Sequence, residues 1–382
     1  MRYKYLVSMF VLVLMFSVFA IAYSDNSEHS SDSSGKKRVI ANTGEELQVA
    51  LDSGCQIARQ TREITALICP VAVADSLGLQ EDIKVFALDS GANTQIRADK
   101  VQSSGNTGTG RKIAILDTGY NYNHPELASS YLGGEDLVND DLDPMDDNGH
   151  GSHVAGLITA DGIQSRARGV APSVGILVVK VLGSDGSGYF SDIVSGIYYV
   201  VDGPDGVYGT ADDFNIDAIS LSLGTSAPYL YKGFCDNVLP SLTNAVKYAR
   251  DRNVFVVVAA GNSGNAGISI PGCISYSTTV GAVDSSDKVA SFSGRGNALD
   301  ISSPGVSLYS AWLGSSYAAA SGTSMATPVV SGVIALIKLA HPEYSDEQVE
   351  NSLLSTAKDL GRKGRDKDYG YGRVDAYRAV ST

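Results

Sequence analysis

One serine of this sequence lies in a setting that suits nucleophilic chemistry, at the start of an apolar helical run. Ser324 lies in Ser-Gly-Thr-Ser-Met-Ala-Thr-Pro (321–328), ahead of the small and apolar run 329–340. Gly322 permits a tight turn, and the start of a helix presents free backbone N–H groups, so a hydroxyl here could be a nucleophile beside an oxyanion site. Helix capping is the commoner use of such a serine. The partners of Ser324 decide between the two.

Three other polar residues follow predicted strands or glycine-rich turns. Asp117 ends an apolar strand, His150 lies in Asn-Gly-His-Gly-Ser-His (148–153), and Asn262 ends a second apolar strand. An Asp or Asn in such a place is usually a turn residue. Together with Ser324, however, the three supply an orienting carboxylate, a base and an oxyanion donor. These are the components of acyl transfer through a covalent intermediate.

The elements that must position these residues alternate along the chain. Strands are predicted at 113–116, 175–181, 218–223, 254–260 and 278–283, and helices at 153–160, 191–201, 239–252 and 327–340. Continuous apolar strands separated by helices are typical of an α/β fold with a doubly wound parallel sheet, whose sites lie at the carboxyl ends of the strands. We therefore expect the four residues at one edge of one sheet.

A second, smaller α/β unit is predicted before this sheet, as a length of 382 residues allows. Its strands are predicted at 39–40, 56–59, 64–68 and 83–88, and its helices at 45–52 and 73–77, which gives the order β-α-β-β-α-β. The stretch 91–110, rich in Gly, Ser, Asn and Thr, marks the boundary between the two units.

Composition and the N-terminus concern the partners and location of the protein. A formal charge of −13 disfavours binding to nucleic acid or to an anionic membrane surface. Arg2 and Lys4 precede the apolar run 6–22, which ends in Ala-Ile-Ala. This pattern predicts a secretory signal peptide at 1–22 and a secreted protein, with a polar linker at 23–37. The apolar run could barely span a bilayer, so an uncleaved membrane anchor is the alternative.

The four cysteines favour disulfides, because the chain is predicted to be exported. Cys55 with Cys69 and Cys235 with Cys273 would each pair within one unit. Free buried thiols are the alternative.

Four motifs resemble those of the subtilisin-like serine peptidases, or subtilases. They are Asp-Thr-Gly (117–119), His-Gly-Ser-His-Val-Ala-Gly (150–156), Ala-Ala-Gly-Asn (259–262) and Gly-Thr-Ser-Met-Ala-Thr-Pro (322–328), and they follow the family's order of Asp, His and Ser. The resemblance continues to Gly-Tyr-Gly-Arg-Val-Asp-Ala (370–376). Residues 38–92 resemble the family's inhibitory propeptide, which leaves 93–382 as the peptidase domain.

The resemblance implies a secreted serine endopeptidase that hydrolyses polypeptides through an acyl-enzyme intermediate. Ser324 would be the nucleophile, His150 the base, Asp117 its orienter and Asn262 an oxyanion donor. The substrate would lie along Ser222, Leu223 and Gly224. The propeptide would act as intramolecular chaperone and inhibitor until the zymogen cuts itself near 89–93. We expect a monomer with no organic cofactor.

Two acidic loops resemble calcium-binding loops of some subtilases. Their candidate ligands are Asp136, Asp141 and Asp143 in the first loop, and Asp202, Asp205, Asp212, Asp213 and Asp217 in the second. Carboxylates crowded on glycine-rich loops suit calcium, and solvated acidic loops are the alternative. A zinc site at His150 and His153 is disfavoured, because such a pair needs a third ligand.

Three positions depart from the family. Ile163 stands where its strongest calcium loop often has Asn, Val329 replaces a His, and Thr225 replaces a Gly, which we expect to crowd the cleft. The alternative function is a catalytically silent subtilase fold that binds a partner. An α/β-hydrolase is excluded, because it requires Gly-x-Ser-x-Gly and the order Ser, Asp, His.

Overall fold

The computed structural model of the chain describes residues 21–23, 35–60, 65–81 and 91–382. Two compact units are present: the described residues 35–60 and 65–81 belong to one, and 21–23 with 91–382 belong to the other. Four predicted features lie wholly or partly outside the described residues: the signal peptide (1–20), the linker (24–34), the strand at 83–88 and the start of the cleavage segment (89–90). A short strand, β1 (Ile21–Tyr23), pairs antiparallel with Tyr317–Ala320.

The smaller unit is an antiparallel sheet with two helices packed against it. Its described elements are β2 (Lys36–Ala41), α1 (Gly44–Asp52), β3 (Gln56–Gln60), β4 (Thr65–Pro70), α2 (Val71–Ser76) and β5 (Gln80–Glu81), with the strands in the order β3-β4-β2-β5. The first five elements confirm the predicted order β-α-β-β-α. The strand that follows them is β5, whereas the predicted strand at 83–88 lies outside the described residues. Thr43 caps α1 by accepting a hydrogen bond from Glu46 N at 3.1 Å. A disulfide joins Cys55 to Cys69 beside the core residues Val39 and Leu67.

The larger unit contains the four candidate catalytic residues. Its described elements are α3 (Gly91–Gln95), α4 (Ala98–Ser103), β6 (Lys112–Asp117), β7 (Tyr131–Asp136), α5 (His150–Thr159), β8 (Gly175–Lys180), α6 (Phe190–Asp202), β9 (Ala218–Leu221), β10 (Leu230–Tyr231), α7 (Pro240–Arg250), β11 (Phe255–Ala259), β12 (Ile268–Ser269), β13 (Thr278–Val283), β14 (Ile301–Pro304), β15 (Leu308–Ala311), β16 (Tyr317–Ala320), α8 (Thr323–Ala340), α9 (Asp346–Ser355) and α10 (Ala376–Val380).

Seven of these strands form one parallel sheet. Their order is β14-β13-β11-β9-β6-β8-β7, and each neighbouring pair is parallel. The chain builds one side of the sheet from β6 to β8 and then crosses to β9 on the other side of β6. Sites in such sheets lie at this switch, outside the carboxyl ends of the strands. The predicted doubly wound α/β sheet is confirmed.

Both faces of the sheet are buried, as the continuous apolar strands predicted. Alternate residues of β6 enter different cores: Ile113 and Ile115 pack with α5 and α8, whereas Ala114 and Leu116 pack with α6 and α7. Successive side chains of a strand point to opposite faces, so an uninterrupted apolar run requires cover on both. The helices on each face provide that cover. Their packing fixes the position of β6 and hence of its last residue, Asp117.

Helix α8 is the central helix of one core. Among the described residues it is the one helix long and apolar enough to cross a bilayer, but 78% of its most apolar stretch is buried inside the fold. Val329, which departs from the family pattern, is fully buried there. A valine at this position therefore packs as a core residue.

Helices α5 and α8 begin three and four residues earlier than the sequence predicted. Helix α5 begins at His150 rather than 153, and α8 begins at Thr323 rather than 327. Glycine precedes each start, and Thr323 and Ser324, the first two residues of α8, are weak helix formers. The apolar pattern therefore marks the body of each helix but not its first turn, which is where the candidate catalytic residues lie.

Candidate active site

Asp117 and His150 are hydrogen-bonded at the carboxyl end of β6. Asp117 is the last residue of that strand, and His150 is the first residue of α5. His150 Nδ1 lies 2.7 Å from Asp117 Oδ1, and the carboxylate is fully buried. Thr118 N donates to the same oxygen at 2.8 Å. Since Nδ1 is occupied by the carboxylate, Nε2 is the ring nitrogen left to exchange a proton with another group.

The start of α5 can approach the turn after β6 because Gly151 has no side chain. A Cβ atom at Gly151 would lie 2.1 Å from the Gly119 carbonyl oxygen, which no real side chain could do. Gly151 N also donates to Thr118 Oγ1 at 2.9 Å across the same gap. The glycine after His150 is therefore a condition for the contact between His150 and Asp117.

A buried carboxylate that the sequence analysis missed holds the start of α5. Asp146 Oδ1 accepts from Thr118 Oγ1 at 2.9 Å and from the N–H groups of Asn148 and Gly149 at 3.0 and 2.9 Å. Its Oδ2 accepts from Ser152 N at 2.8 Å and from Ser152 Oγ at 2.6 Å. Burial raises the pKa of Asp146, but these hydrogen bonds outweigh burial and lower the pKa below its ordinary value. The ionised carboxylate ties the turn after β6 to the first turn of α5.

A buried lysine, also missed, supports the same turn. Lys180 is the last residue of β8, and its side chain is 1% exposed. Its Nζ donates to Thr118 O at 2.6 Å, to Leu182 O at 3.1 Å and to Asp147 Oδ1 at 2.7 Å. A buried ammonium is tolerated only when such partners replace water. Lys180 thus fixes the peptide that directly follows Asp117.

Asp117 also sets the proton affinity of His150. Burial of the ring lowers the pKa of His150, but the charge and the hydrogen bond of Asp117 outweigh burial and raise the pKa above its ordinary 6.5. The side chain is nevertheless 27% exposed, so a ligand can reach it. A raised pKa makes the neutral imidazole a stronger base, which suits removal of a proton from a hydroxyl.

Ser324 lies in the first turn of α8, where the backbone N–H groups have no partner within the helix. Helices α5 and α8 pack against each other in the core. His150 and Ser324 therefore occupy the first turns of two neighbouring helices at the same edge of the sheet.

The carbonyl of Ser324 has an unusual partner because of Pro328. In an α-helix that carbonyl would accept from the N–H four residues later, which is Pro328 and has no N–H. Instead, Ser222 Oγ donates to Ser324 O at 2.8 Å. Ser222 directly follows β9, so this hydrogen bond fastens the Ser324 turn to the central sheet.

The side-chain amide of Asn262 is oriented by Thr323. Its Oδ1 accepts from Thr323 N at 2.9 Å and from Thr323 Oγ1 at 3.0 Å. Its Nδ2 faces Gly322, 3.4 Å from where a Cβ atom of that residue would lie. Asn262 is solvent-exposed, so the NH₂ end of the amide can donate to a bound oxygen beside Ser324.

His153, the second histidine of the motif, is a core residue. It is fully buried, and its Nε2 lies 3.1 Å from the carbonyl oxygens of Leu308 and Ala318. Burial, with a contribution from the charge of His150, lowers the pKa of His153 to about 4. The Nε2–H therefore donates to backbone and the ring is neutral, so this nitrogen is not free to bind zinc.

The first acidic loop is held together by its own hydrogen bonds. Asp136 is 1% exposed, and its carboxylate accepts from Val138 N at 2.8 Å, Asn139 N at 2.9 Å and Asn139 Nδ2 at 2.8 Å. Asp141 accepts from Asp143 N at 2.9 Å, while Asp143 itself accepts from a tyrosine hydroxyl at 2.7 Å. Asp136 is thus already satisfied by N–H donors, which does not favour a cation at its carboxylate.

The structure divides the second acidic loop into three parts. Asp202 accepts from the Tyr248 hydroxyl at 2.7 Å. Asp217 accepts from Lys112 N at 3.0 Å and pairs with a lysine and an arginine, so it is a structural ion-pair residue rather than a candidate ligand. Asp205, Asp212 and Asp213 remain together on one exposed turn, where Asp212 accepts from Asp205 N at 3.0 Å and Thr210 Oγ1 at 2.6 Å.

No set of three or more Asp, Glu, His or Cys side chains in the described part of the chain is arranged to hold a metal ion.

The loop containing Ile163 holds a carboxylate of the protein itself. Glu126 is fully buried and accepts from Gly162 N at 2.6 Å, Ile163 N at 3.1 Å and Gln164 N at 2.6 Å. Backbone N–H groups that converge in this way suit an anion. The loop is therefore ordered by Glu126. This agrees with the sequence, in which Ile163 replaces the Asn that the family's calcium loop often has at this position.

The candidate substrate segment lies just beyond the last ladder pair of β9. The parallel register between β9 and β11 ends with Leu221 opposite Val258, and Ser222, Leu223 and Gly224 follow. Thr225, the next residue, donates its hydroxyl proton to Tyr229 O at 2.7 Å, and its crowding of the cleft stays a prediction. Close by, a disulfide joins Cys235 to Cys273 and confirms the second predicted pair.

Comparisons with known proteins agree with this arrangement. A subtilase family model matches residues 108–372. The chain is 40% identical to Subtilisin BL of Lederbergia lenta over 287 residues, or 75% of this chain and 97% of that protein. M-protease of Shouchella clausii (strain KSM-K16) is 39% identical over 79% of this chain and 73% of its own length. Thermitase of Thermoactinomyces vulgaris is 39% identical over 72% and 89%.

The matched region includes all four candidate catalytic residues together with the whole parallel sheet, and the relatives are aligned over most of their length. The chain therefore belongs to the subtilase family and is a subtilisin-type serine endopeptidase.

Proposed function

We propose that this endopeptidase cleaves polypeptides through an acyl-enzyme intermediate on Ser324, with His150 as general base and Asp117 as its orienter. The observation that carries the proposal is the 2.7 Å contact between His150 Nδ1 and Asp117, at the start of a helix packed against the Ser324 helix. Subtilisin-type relatives at about 40% identity support the reaction class.

In this mechanism Ser324 Oγ attacks the substrate carbonyl carbon while His150 Nε2 takes the hydroxyl proton. The imidazolium then gives that proton to the amine nitrogen as the C–N bond breaks, which leaves an ester on Ser324. Water then gives a proton to His150 Nε2 and attacks the ester carbon. The bond from that carbon to Ser324 Oγ breaks, His150 returns the proton to Oγ, and the carboxylic acid is released. Asp117 stabilises the imidazolium in both halves of the reaction.

Asn262 Nδ2 and Ser324 N would bind the oxyanion that forms during each attack. Thr323 holds the amide oxygen of Asn262. The N–H groups of Asn262 therefore need not reorient when negative charge develops on the substrate oxygen. The substrate would pair as an extended strand with residues 222–224, beyond the β9 ladder.

We also propose that the protein is secreted as a zymogen. The charged and apolar start of the chain supports export. The small α/β unit, described at 35–60 and 65–81, lies within the stretch 38–92 that resembles an inhibitory propeptide. This unit would assist folding of the peptidase and inhibit it until cleavage near 89–93. The active enzyme would then be a monomer.

One experiment tests catalysis and maturation together. Purified precursor is treated with a fluorophosphonate before and after incubation, and mass spectrometry locates both the label and any new N-terminus. We expect the label on Ser324 and a new N-terminus near 89–93. A folded, matured protein that is not labelled at Ser324 would refute the nucleophile, and a stable full-length chain that cleaves peptides would refute self-processing.

Calcium is proposed for the turn that carries Asp205, Asp212 and Asp213, where the carboxylates would exchange internal N–H partners for the cation. Saturating calcium is expected to raise Tm by roughly 5–10 °C over protein in EDTA, because a ligand at 100 times its Kd stabilises by about 2.7 kcal/mol. Asp212→Asn with Asp213→Asn should abolish the shift, whereas Asp141→Asn in the other loop should retain it. Equal Tm values in calcium and EDTA for the parent protein would contradict the proposal.

A further inference from the structure

His153, the second histidine of the motif that contains His150, joins α5 to a neighbouring hairpin. It is fully buried, and its Nε2–H donates to Leu308 O and Ala318 O, each at 3.1 Å. Leu308 belongs to β15 and Ala318 to β16, so one side chain holds both strands of the β15–β16 hairpin. Ser310 Oγ of β15 also donates to His153 O at 2.8 Å. The hairpin is therefore fastened to α5 through both the side chain and the backbone of His153.

Two glycines, one just before α5 and one within it, let the hairpin come close to His153. A Cβ atom on Gly149 would lie 2.5 Å from the Trp312 ring, and one on Gly156 would lie 2.3 Å from Ser310 Oγ. Gly149 stands four residues before His153 and Gly156 three residues after it, so the three lie on one side of the helix. These contacts place the first turn of α5 directly against the hairpin.

The same hairpin fixes the approach of the chain to Ser324, because β16 ends only four positions before it. Two of the intervening residues are held by the segment just ahead of β15. Ser321 Oγ accepts from Ser307 N at 2.8 Å. Gly322 N donates to Gly305 O at 2.9 Å. A shift of the hairpin would therefore move the Ser324 turn.

The ring of His153 uses only one of its two nitrogens in hydrogen bonding. Nδ1 is buried and has no hydrogen-bond partner in the part of the chain that the structure describes. A buried polar atom without a partner costs stability, and an apolar side chain at this position would avoid that cost. Packing alone therefore does not favour a histidine here. What the ring provides, and an aliphatic side chain lacks, is the Nε2–H donor to the hairpin.

We propose that His153 is a positioning residue for catalysis, which sets the approach of His150 to Ser324 by fastening the β15–β16 hairpin to the first turn of α5. The inference rests on the proposed function, because it concerns transfer of the Ser324 proton to His150. His153 lies one turn after His150 in the same helix, and the hairpin leads directly into the Ser324 turn. A misplacement of about 1 Å between reacting groups can lower a rate by about 100-fold.

The test compares His153→Leu, which removes both ring nitrogens, with His153→Gln, whose amide offers an N–H group close to the position of Nε2. For each variant, kcat and KM are measured on one chromogenic peptide, together with the rate at which a fluorophosphonate labels Ser324. We expect His153→Leu to lower kcat and the labelling rate by about 100-fold, because both depend on proton transfer from Ser324 to His150. KM should stay within about twofold, since residues 222–224 are untouched. His153→Gln should bring kcat back to within about tenfold of the parent, because the donor to the hairpin is restored.

Thr159→Val is the matched control. Thr159 lies in the same helix, and its buried hydroxyl donates to Val174 O at 2.8 Å. The variant keeps the shape of the side chain and loses one buried hydrogen bond to a carbonyl. Its Tm should fall, whereas its kcat should stay within about twofold of the parent.

The outcomes for His153 and for the proposed function are separable. Parent protein that is not labelled at Ser324 refutes the proposed function. If His153→Leu does not fold, His153→Asn serves in the same comparison, because its shorter amide lies near the position of Nδ1 rather than Nε2. With labelled parent protein, a folded Leu or Asn variant whose kcat stayed within about threefold would overturn the role of His153, even if Tm falls. A Gln variant no more active than the Leu variant would overturn it as well.

Discussion

Ser324→Ala is expected to lower kcat by about a million-fold, the magnitude known for the same change in a subtilisin. Without Oγ no acyl-enzyme can form, because His150 and Asp117 have no hydroxyl nucleophile to deprotonate. KM should change little, because the proposed substrate segment at residues 222–224 is untouched. Steady-state cleavage of a chromogenic peptide, with a single-turnover assay for the residual rate, measures the effect.

Ser331→Ala is the control for Ser324→Ala. Ser331 lies in the same helix, and its buried hydroxyl only donates to Thr327 O at 3.2 Å. The control should keep kcat within about threefold, since the loss of one backbone-bonded hydroxyl is a matter of stability. A Ser324→Ala protein that retained 1% of the parental kcat, after contaminating protease was excluded, would show that another group is the nucleophile.

Asp117→Asn is expected to lower kcat by about ten thousand-fold, as in triad enzymes generally. The Asn side chain can offer its NH₂ group to His150 Nδ1, which places the ring proton on Nε2. That nitrogen then cannot accept the proton of Ser324. The NH₂ group then also faces Thr118 N, which loses its acceptor, since both groups contact the same oxygen of Asp117. The fold should nevertheless persist, because Asp146 and Lys180 still hold Thr118.

The same change should move the pH dependence of the reaction. Asp117 raises the pKa of His150 above 6.5, and only the neutral ring is a base, so parental activity rises with pH through a value above 6.5. Asp117→Asn removes the raising charge while burial still lowers the pKa, so the acid limb of kcat/KM should shift to lower pH.

The stability contributed by the imidazolium pair has its own pH dependence. Because the folded pKa of His150 is raised, that contribution is present below pH 6.5 and is lost as pH rises through the folded value.

Asp251→Asn is the control for Asp117→Asn. It removes an exposed salt bridge of α7 and should change neither kcat nor the pH profile. An acid limb that stayed in place in Asp117→Asn would mean that the limb does not report His150.

Much of the fold and the candidate site could be predicted from local sequence. Asp117 and Asn262 each follow an unbroken apolar strand, and parallel strands deliver their carboxyl ends to one edge, so their proximity follows from the strand pattern. His150 and Ser324 stand beside glycines ahead of helical runs. These signals span only a few residues, which is why the motifs, the sheet and the family resemblance could be recognised together.

Other functional residues could not be predicted, because their roles depend on distant partners. Asp146 resembles its acidic neighbours in sequence, yet it alone joins Thr118 to the start of α5. Lys180 ends an apolar strand, where its sequence suggests a surface residue. In the structure it is buried, and its ammonium group donates to three acceptors. Likewise, nothing near Asp217 in the sequence indicates that it pairs with Lys338 rather than joining an acidic loop.

The sequence by itself determined the fold class, the small N-terminal unit and the four residues proposed to act on the peptide bond. Each depends on periodicity or on a motif within one short stretch. Only the tertiary structure decided the tautomer of His150, the donor end of Asn262, the use of Ser222 to satisfy a carbonyl left unpaired by Pro328, and the inward direction of the Thr225 hydroxyl. Hydrogen bonds require separations near 3 Å, and only folding brings groups from separate stretches of the chain that close.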